Sequence, residues 1–140
     1  MSVFSWTARV YWEDTDGGGI VYYANYLRFL ERARTEWLRS LGFSQQALAQ
    51  EPGIVFAVAN LTVEYHRPAR LDDELTITCE PQRERATAMR FAQRIYRRGS
   101  NTDETLLVEA NVRVVCVDAR TLRPKRLPDF LIGASLPEPS

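Results

Sequence analysis

Between Asn25 and Leu41 the apolar residues recur at helical spacing, and beyond Pro52-Gly53 they recur at every second position. That switch of period restricts the chain to one long helix packed on a sheet, an α+β layer architecture. Tyr26, Leu30, Ala33, Trp37 and Leu41 fall on one stripe, widened by Leu27, Phe29 and Leu38, while Arg28, Arg32, Glu36 and Arg39 face away. A stripe this wide implies burial against a sheet. Asn25 stands where an N-cap belongs and Gly42 where a C′ glycine belongs.

Ala8 to Trp12 alternates weakly and reads as a short first strand. Four longer runs follow the helix. The faces expected are Val55, Ala57, Ala59, Leu61, Val63 and Tyr65, then Leu75, Ile77 and Cys79. Next come Thr87, Met89, Phe91, Gln93 and Ile95, then Leu106 through Cys116 at alternate positions. Turn signals at 71–73, 81–85 and 99–101 separate them, which predicts four strands in meander order. The proline-rich end from Pro124 reads as a trailing loop, with a loose tail from about residue 128. At 140 residues the chain is expected to form a single domain, 1–140. A single sheet on a single helix leaves edges bare, which predicts self-association.

Net charge is zero, so nothing in the bulk electrostatics points to nucleic acid. Lys125 is the only lysine; arginine forks suit phosphate, but a biased genome composition gives the same skew. The apolar runs are far short of a membrane span, and the first residues lack the pattern of a secretory signal. Cys79 and Cys116 form no CxxC, which fits reduced core thiols in a cytoplasmic protein. His66 is the only histidine and there is no G-x-S-x-G, so a serine triad has little to work with. The Asp14-x-Asp16-x-Gly18 run departs from an EF-hand at its third ligand, and no metal is expected.

What remains is Asp14-Thr15-Asp16-Gly17-Gly18-Gly19-Ile20-Val21-Tyr22-Tyr23-Ala24-Asn25-Tyr26. A carboxylate stands beside a glycine loop whose N–H groups are unencumbered, and a helix start follows. Together these supply a base or nucleophile and an oxyanion site. On the residues alone, the stretch reads equally well as an acidic turn entering a helix, with no chemistry.

Continued through Leu27-Arg28-Phe29-Leu30-Glu31-Arg32-Ala33-Arg34-Thr35-Glu36-Trp37-Leu38, this stretch resembles the signature of the 4-hydroxybenzoyl-CoA thioesterase family. It is most similar to the bacterial acyl-CoA thioesterase branch associated with the Tol-Pal system. Tyr65-His66-Arg67-Pro68-Ala69-Arg70-Leu71-Asp72-Asp73 resembles a second family block, and the likeness spans roughly residues 8 to 118. The resemblance implies a hotdog fold, with dimers joined sheet edge to sheet edge and often paired into tetramers. It implies hydrolysis of an acyl-CoA without metal or cofactor, with Asp16 as nucleophile or general base and the Tyr23 N–H, with Gly18 or Gly19, at the carbonyl oxygen. Many relatives carry histidine where this chain has Tyr23; a tyrosine is a donor and not a base near pH 7.

Further candidates are Asn25, as cap or as helper near the carbonyl, and Arg67, Arg90, Arg94 and Arg97 as phosphate ligands or solvated side chains. Asp14 is expected to orient the loop and Glu31 to be structural. The rival readings are a non-catalytic acyl-CoA or acyl-carrier-protein binding module, and a hotdog dehydratase using His66. A third is an interaction role beside the envelope machinery.

Overall fold

A computed structural model describes residues 3–100, 103–129 and 131. Its elements are β1 (Phe4–Arg9), α1 (Tyr26–Ser40), α2 (Gln45–Gln50), β2 (Ile54–Tyr65), β3 (Glu74–Arg85), β4 (Ala88–Arg98) and β5 (Glu104–Asp118). Two short 3₁₀ turns, Trp12–Asp14 and Tyr23–Asn25, lie between β1 and α1. The five strands form one antiparallel sheet in the order β1-β3-β4-β5-β2, wrapped around α1. This is the hotdog fold.

Tyr26, Phe29, Leu30, Ala33, Trp37 and Leu38 of α1 are buried, as the stripe predicts. Each large apolar side chain taken from water stabilises the fold by roughly 1.5–3 kcal/mol. Trp37 meets Phe91 of β4 edge to face, with ring centroids 5.4 Å apart. The helix stops where a side chain gives way to Gly42, whose φ of 93° lets the Gly42 and Phe43 N–H groups bond back to the Arg39 and Leu38 carbonyls. The sequence reading passed over α2, although Ser44 caps it by accepting the Ala47 N–H at 3.2 Å and Leu48 buries its inner face.

The structure corrects four expectations. The first strand is Phe4–Arg9, not 8–12, because its partner β3 begins at Glu74, opposite Arg9, and pairing stops there. Tyr11 and Trp12 are exposed in the 3₁₀ turn region. The strands after the helix are not a four-strand meander: only β3, β4 and β5 are hairpin-linked, and β2 pairs with β5 on the far side. The face of β2 also changes, since a bulge between Val58 and Asn60 reverses the alternation there. Before the bulge the residues packing on the core are Ile54 and Phe56, and after it Val63. Lastly, the C-terminal segment is not loose where described. Pro124 bridges Val117, the Leu127 N–H bonds to the Ala86 carbonyl at 2.8 Å, and Leu127 and Leu131 are buried. The remainder of that expected tail, residues 130 and 132–140, lies outside the described residues.

Candidate active site

The Asp16 loop is held from both sides. The Val10 N–H bonds to the Asp73 carbonyl and the Asp72 N–H to the Val10 carbonyl, so β1 enters the loop tied to the 66–73 connection. Asp14 then closes the first 3₁₀ turn: its Oδ2 accepts the Tyr11 N–H at 2.8 Å. Thr15 and Val21 bridge, the Asp16 N–H bonds to the Ile20 carbonyl at 3.0 Å, and the Tyr22 N–H bonds to the Asp14 carbonyl at 3.1 Å. The result is a tight lobe with Gly17, Gly18 and Gly19 at its tip. Gly17 and Gly19 have φ of 89° and 90°, a region costly for any residue with a Cβ. The Asp16 side chain is exposed, and its Oδ1 accepts the Gly18 N–H at 2.7 Å. Ile20 bridges Arg70, and the Leu71 N–H bonds to the Gly19 carbonyl, so the second sequence block clamps the first.

The helix start differs from expectation. Asn25 has helical φ and ψ and makes no side-chain cap bond. The 3₁₀ turn Tyr23–Asn25 extends the helix backward, so the chain turns in at Tyr22, and the Asn25 amide instead donates to the Asp14 carbonyl at 2.9 Å. Tyr22 supplies no side-chain cap bond. The Tyr23 and Ala24 N–H groups open the turn, where no intrahelical partner exists; among the described residues neither has a backbone partner outside it. Tyr23 is exposed; its carbonyl accepts the Tyr65 hydroxyl at 3.1 Å, and its ring lies 4.8 Å from that of Tyr22.

The other candidates lie elsewhere. Arg90 is tied to Glu84 at 2.7 Å and to Asn111 at 2.6 Å on the outer face of the sheet, so its fork is already filled. Arg94 pairs with Glu109 and Arg97 with Asp73. Arg67 is exposed, and among the described residues it makes no ion pair. His66 pairs with Glu109 at 3.0 Å and lies 3.9 Å from Glu64; Glu109 is shared with Arg94, and hydrogen bonds with His66 and then Arg94 hold its carboxyl below the usual range. Glu31 is exposed and accepts the Thr35 hydroxyl. Cys79 and Cys116 are free and buried, and burial pushes the Cys79 thiol up to about 12, which leaves it inert as a nucleophile. Two cavities, on the outer sheet face and between α1 and the sheet, border none of Asp16, Gly18, Gly19 and Tyr23.

Residues 10–134 match the family described as the thioesterase-like superfamily. The chain belongs to this superfamily. It is 51% identical over 132 residues to the acyl-CoA thioester hydrolase YbgC of Escherichia coli, covering 94% of this chain and 95% of that one. Among solved structures, this thioesterase-superfamily chain superposes on 4-hydroxybenzoyl-CoA thioesterase from Pseudomonas with a TM-score of 0.84 at 25% identity, covering 94% and 99% of the two chains. An aspartate-to-asparagine variant of 4-hydroxybenzoyl-CoA thioesterase, in complex with 4-hydroxybenzoyl-CoA, superposes with a TM-score of 0.83 at 25% identity and coverage of 91% and 95%. The last two place the resemblance seen in the Asp14–Leu38 stretch on a shared fold. No helix among the described residues is long and apolar enough to cross a membrane.

Proposed function

We propose that this chain hydrolyses an acyl-coenzyme A to the free acid and coenzyme A, with Asp16 at the reacting centre. The carrying observation is an exposed carboxylate, fixed by the Gly18 N–H, next to a helix start that lacks a side-chain cap. Asp16 attacks the thioester carbonyl to form an acyl-aspartyl anhydride and expel the thiolate, after which water cleaves the anhydride to the free acid and restores Asp16, or else Asp16 takes a proton from a water that attacks the thioester directly. The Tyr23 N–H, at the positive end of α1, receives the developing oxyanion, with Gly18 and Gly19 lining the approach. Asn25 acts through the loop, holding the Asp14 carbonyl in place. Arg67 is the arginine offered to the coenzyme phosphates; Arg90 serves that role only by giving up Glu84.

The site is open in a single chain, which supports a dimer or tetramer in which a second copy closes over Asp16. A coenzyme A substrate and two unpaired cysteines fit a cytoplasmic setting. The resemblance to the Tol-Pal-associated branch extends the proposal to a link with that envelope machinery. The test is free-thiol release from acyl-CoAs by the wild type and by Asp16→Asn. The variant should keep the fold and lose roughly 10²–10⁴ in kcat; retention of the wild-type rate within a few-fold would favour a non-catalytic binding module.

A further inference from the structure

Two peptides open an N–H group out of the turn that leads into α1, and each is held by its carbonyl. A peptide is planar, with its C=O and N–H on opposite sides, so fixing the oxygen aims the hydrogen. The Tyr23 N–H shares its peptide with the Tyr22 carbonyl, which accepts the Asn25 N–H at 2.8 Å. The Ala24 N–H shares its peptide with the Tyr23 carbonyl, which accepts the Tyr65 hydroxyl at 3.1 Å from 42 residues away. The first tie is local to the turn; the second comes from the end of β2. Tyr65 is itself well held. Its backbone lies opposite Val108 of β5, and the next two amides, those of His66 and Arg67, both donate to the Leu107 carbonyl. Its ring lies 5.6 Å from that of Tyr26 and meets that of Tyr23 edge on at 6.4 Å. Burial, and then the nearby Tyr23 phenol, raise the Tyr65 phenol above its ordinary value, so at neutral pH it carries the proton it donates.

We propose that Tyr65 is a positioning residue for the hydrolysis: its hydroxyl locks the Tyr23–Ala24 peptide so that the Ala24 N–H stands with the Tyr23 N–H as a second oxyanion donor. Tyr65 touches no reacting atom and acts through the peptide alone. The bond is not needed to satisfy the hydroxyl, which lies at the surface where water would serve it. What it changes is the peptide. It removes the freedom of the plane to tilt, and a hydrogen bond at the carbonyl strengthens the N–H across the same peptide as a donor. Donors fixed before charge develops cost no reorganisation at the moment of reaction. The tie also joins the two sequence blocks at the site, since Tyr65 opens the second and Tyr23 lies in the first. The inference deepens the proposed hydrolase reading and rests on its placing the thioester carbonyl at this turn.

Tyr65→Phe removes the hydroxyl and keeps the ring. Thiol release is measured on butyryl-, palmitoyl- and 4-hydroxybenzoyl-CoA, with a thermal melt on the same sample. On the best of the three, kcat should fall about tenfold or more, short of the roughly 10²–10³ that a donor lost outright costs. KM should stay near wild type, because the donor meets full charge only in the transition state. A kcat within a few-fold of wild type overturns the proposal, as does a loss that appears in KM instead. If Tyr65→Phe melts early, a cycle with an ester in place of the Ala24 amide still decides. The two losses should not multiply, since both act on one peptide, and losses that do multiply overturn the proposal. Infrared spectra read the donor directly, with the best acyl-CoA isotope-labelled at its thioester carbonyl and bound to Asp16→Asn. The carbonyl band should lie below its free value, and adding Tyr65→Phe should return it part-way. A lowered band that Tyr65→Phe leaves unmoved overturns the role of Tyr65 and leaves the hydrolase reading standing. A band at the free value in Asp16→Asn itself, or no thiol release by the wild type, sinks that reading and this role together.

Discussion

The Asp16 carboxylate and the Gly18 amide are joined at 2.7 Å, and a Cβ added at Gly18 would lie 3.1 Å from Asp16 Oδ1. The bond and the crowding act on the same oxygen, so residue 18 both holds the carboxylate and limits where it can go. Gly18→Ala should therefore move Asp16 without unfolding the loop. Misplacement of this size lowers kcat by about 10–100-fold. Thiol release and a thermal melt on the same sample check it: a lost melting transition, or full activity, would contradict the geometry.

Gly19 gives the opposite outcome. Its φ is 90°, but a Cβ there meets nothing within 4 Å. Gly19→Ala should cost about 1–2 kcal/mol of stability through backbone strain alone. Urea unfolding measures that loss directly.

Tyr23 separates backbone from side chain. The residue is 62% exposed, and the neighbouring Tyr22 phenol is raised by a hydrogen bond with the Tyr23 hydroxyl. If the amide holds the oxyanion, Tyr23→Phe should change kcat only a few-fold. Replacing that amide by an ester should cost roughly 10²–10³ in rate. A large loss in Tyr23→Phe, with a gain in Tyr23→His, would move the chemistry to the side chain.

The helix, the inner faces of β3, β4 and β5, and the glycine turn after Asp16 were legible because local period and local residue type determine them. Strand partners were not, since alternation says which face a residue takes and nothing about which strand lies beside it. The bulge after Val58 escaped because residues 54–59 are apolar on both faces, so a switch from even to odd inward positions leaves no break in the pattern. Asn25 looked like a cap because its residue type is right. The 3₁₀ turn ahead of it, which takes it inside the helix, carries no cap residue of its own. Leu127 and Leu131 were hidden among prolines that read as a tail.

Self-association is expected along β2. It ends the sheet, and Val58, Leu61 and Tyr65 are 47%, 37% and 47% exposed there. Such an edge invites another strand. Light scattering at micromolar concentration should give a dimer or tetramer, and Leu61→Asp should shift it toward monomer. A wild-type mass near 16.1 kDa would contradict both this edge and a shared site.

Glu84 ties three strands together on the outer face, bonding Arg90 of β4 at 2.7 Å and pairing with Arg113 of β5. The Arg113 hydrogen bond, followed by those of Arg90, holds the Glu84 carboxyl below its ordinary 4.5 despite some opposing desolvation. The folded state thus binds this proton less readily than the unfolded chain does. Its contribution is full above about pH 4.5 and is lost as pH falls through the lower, folded value. Because the Glu84 side chain is only 23% exposed, the loss should reach about 1–2 kcal/mol, more than a surface pair gives. Glu84→Gln keeps an acceptor for the arginines but removes the charge. Urea unfolding should find the variant less stable than wild type at pH 7, with the gap closing progressively below pH 4.5. A gap that stays constant down to pH 3 would show that Glu84 acts by packing, and that its pairing with the arginines adds no net stability.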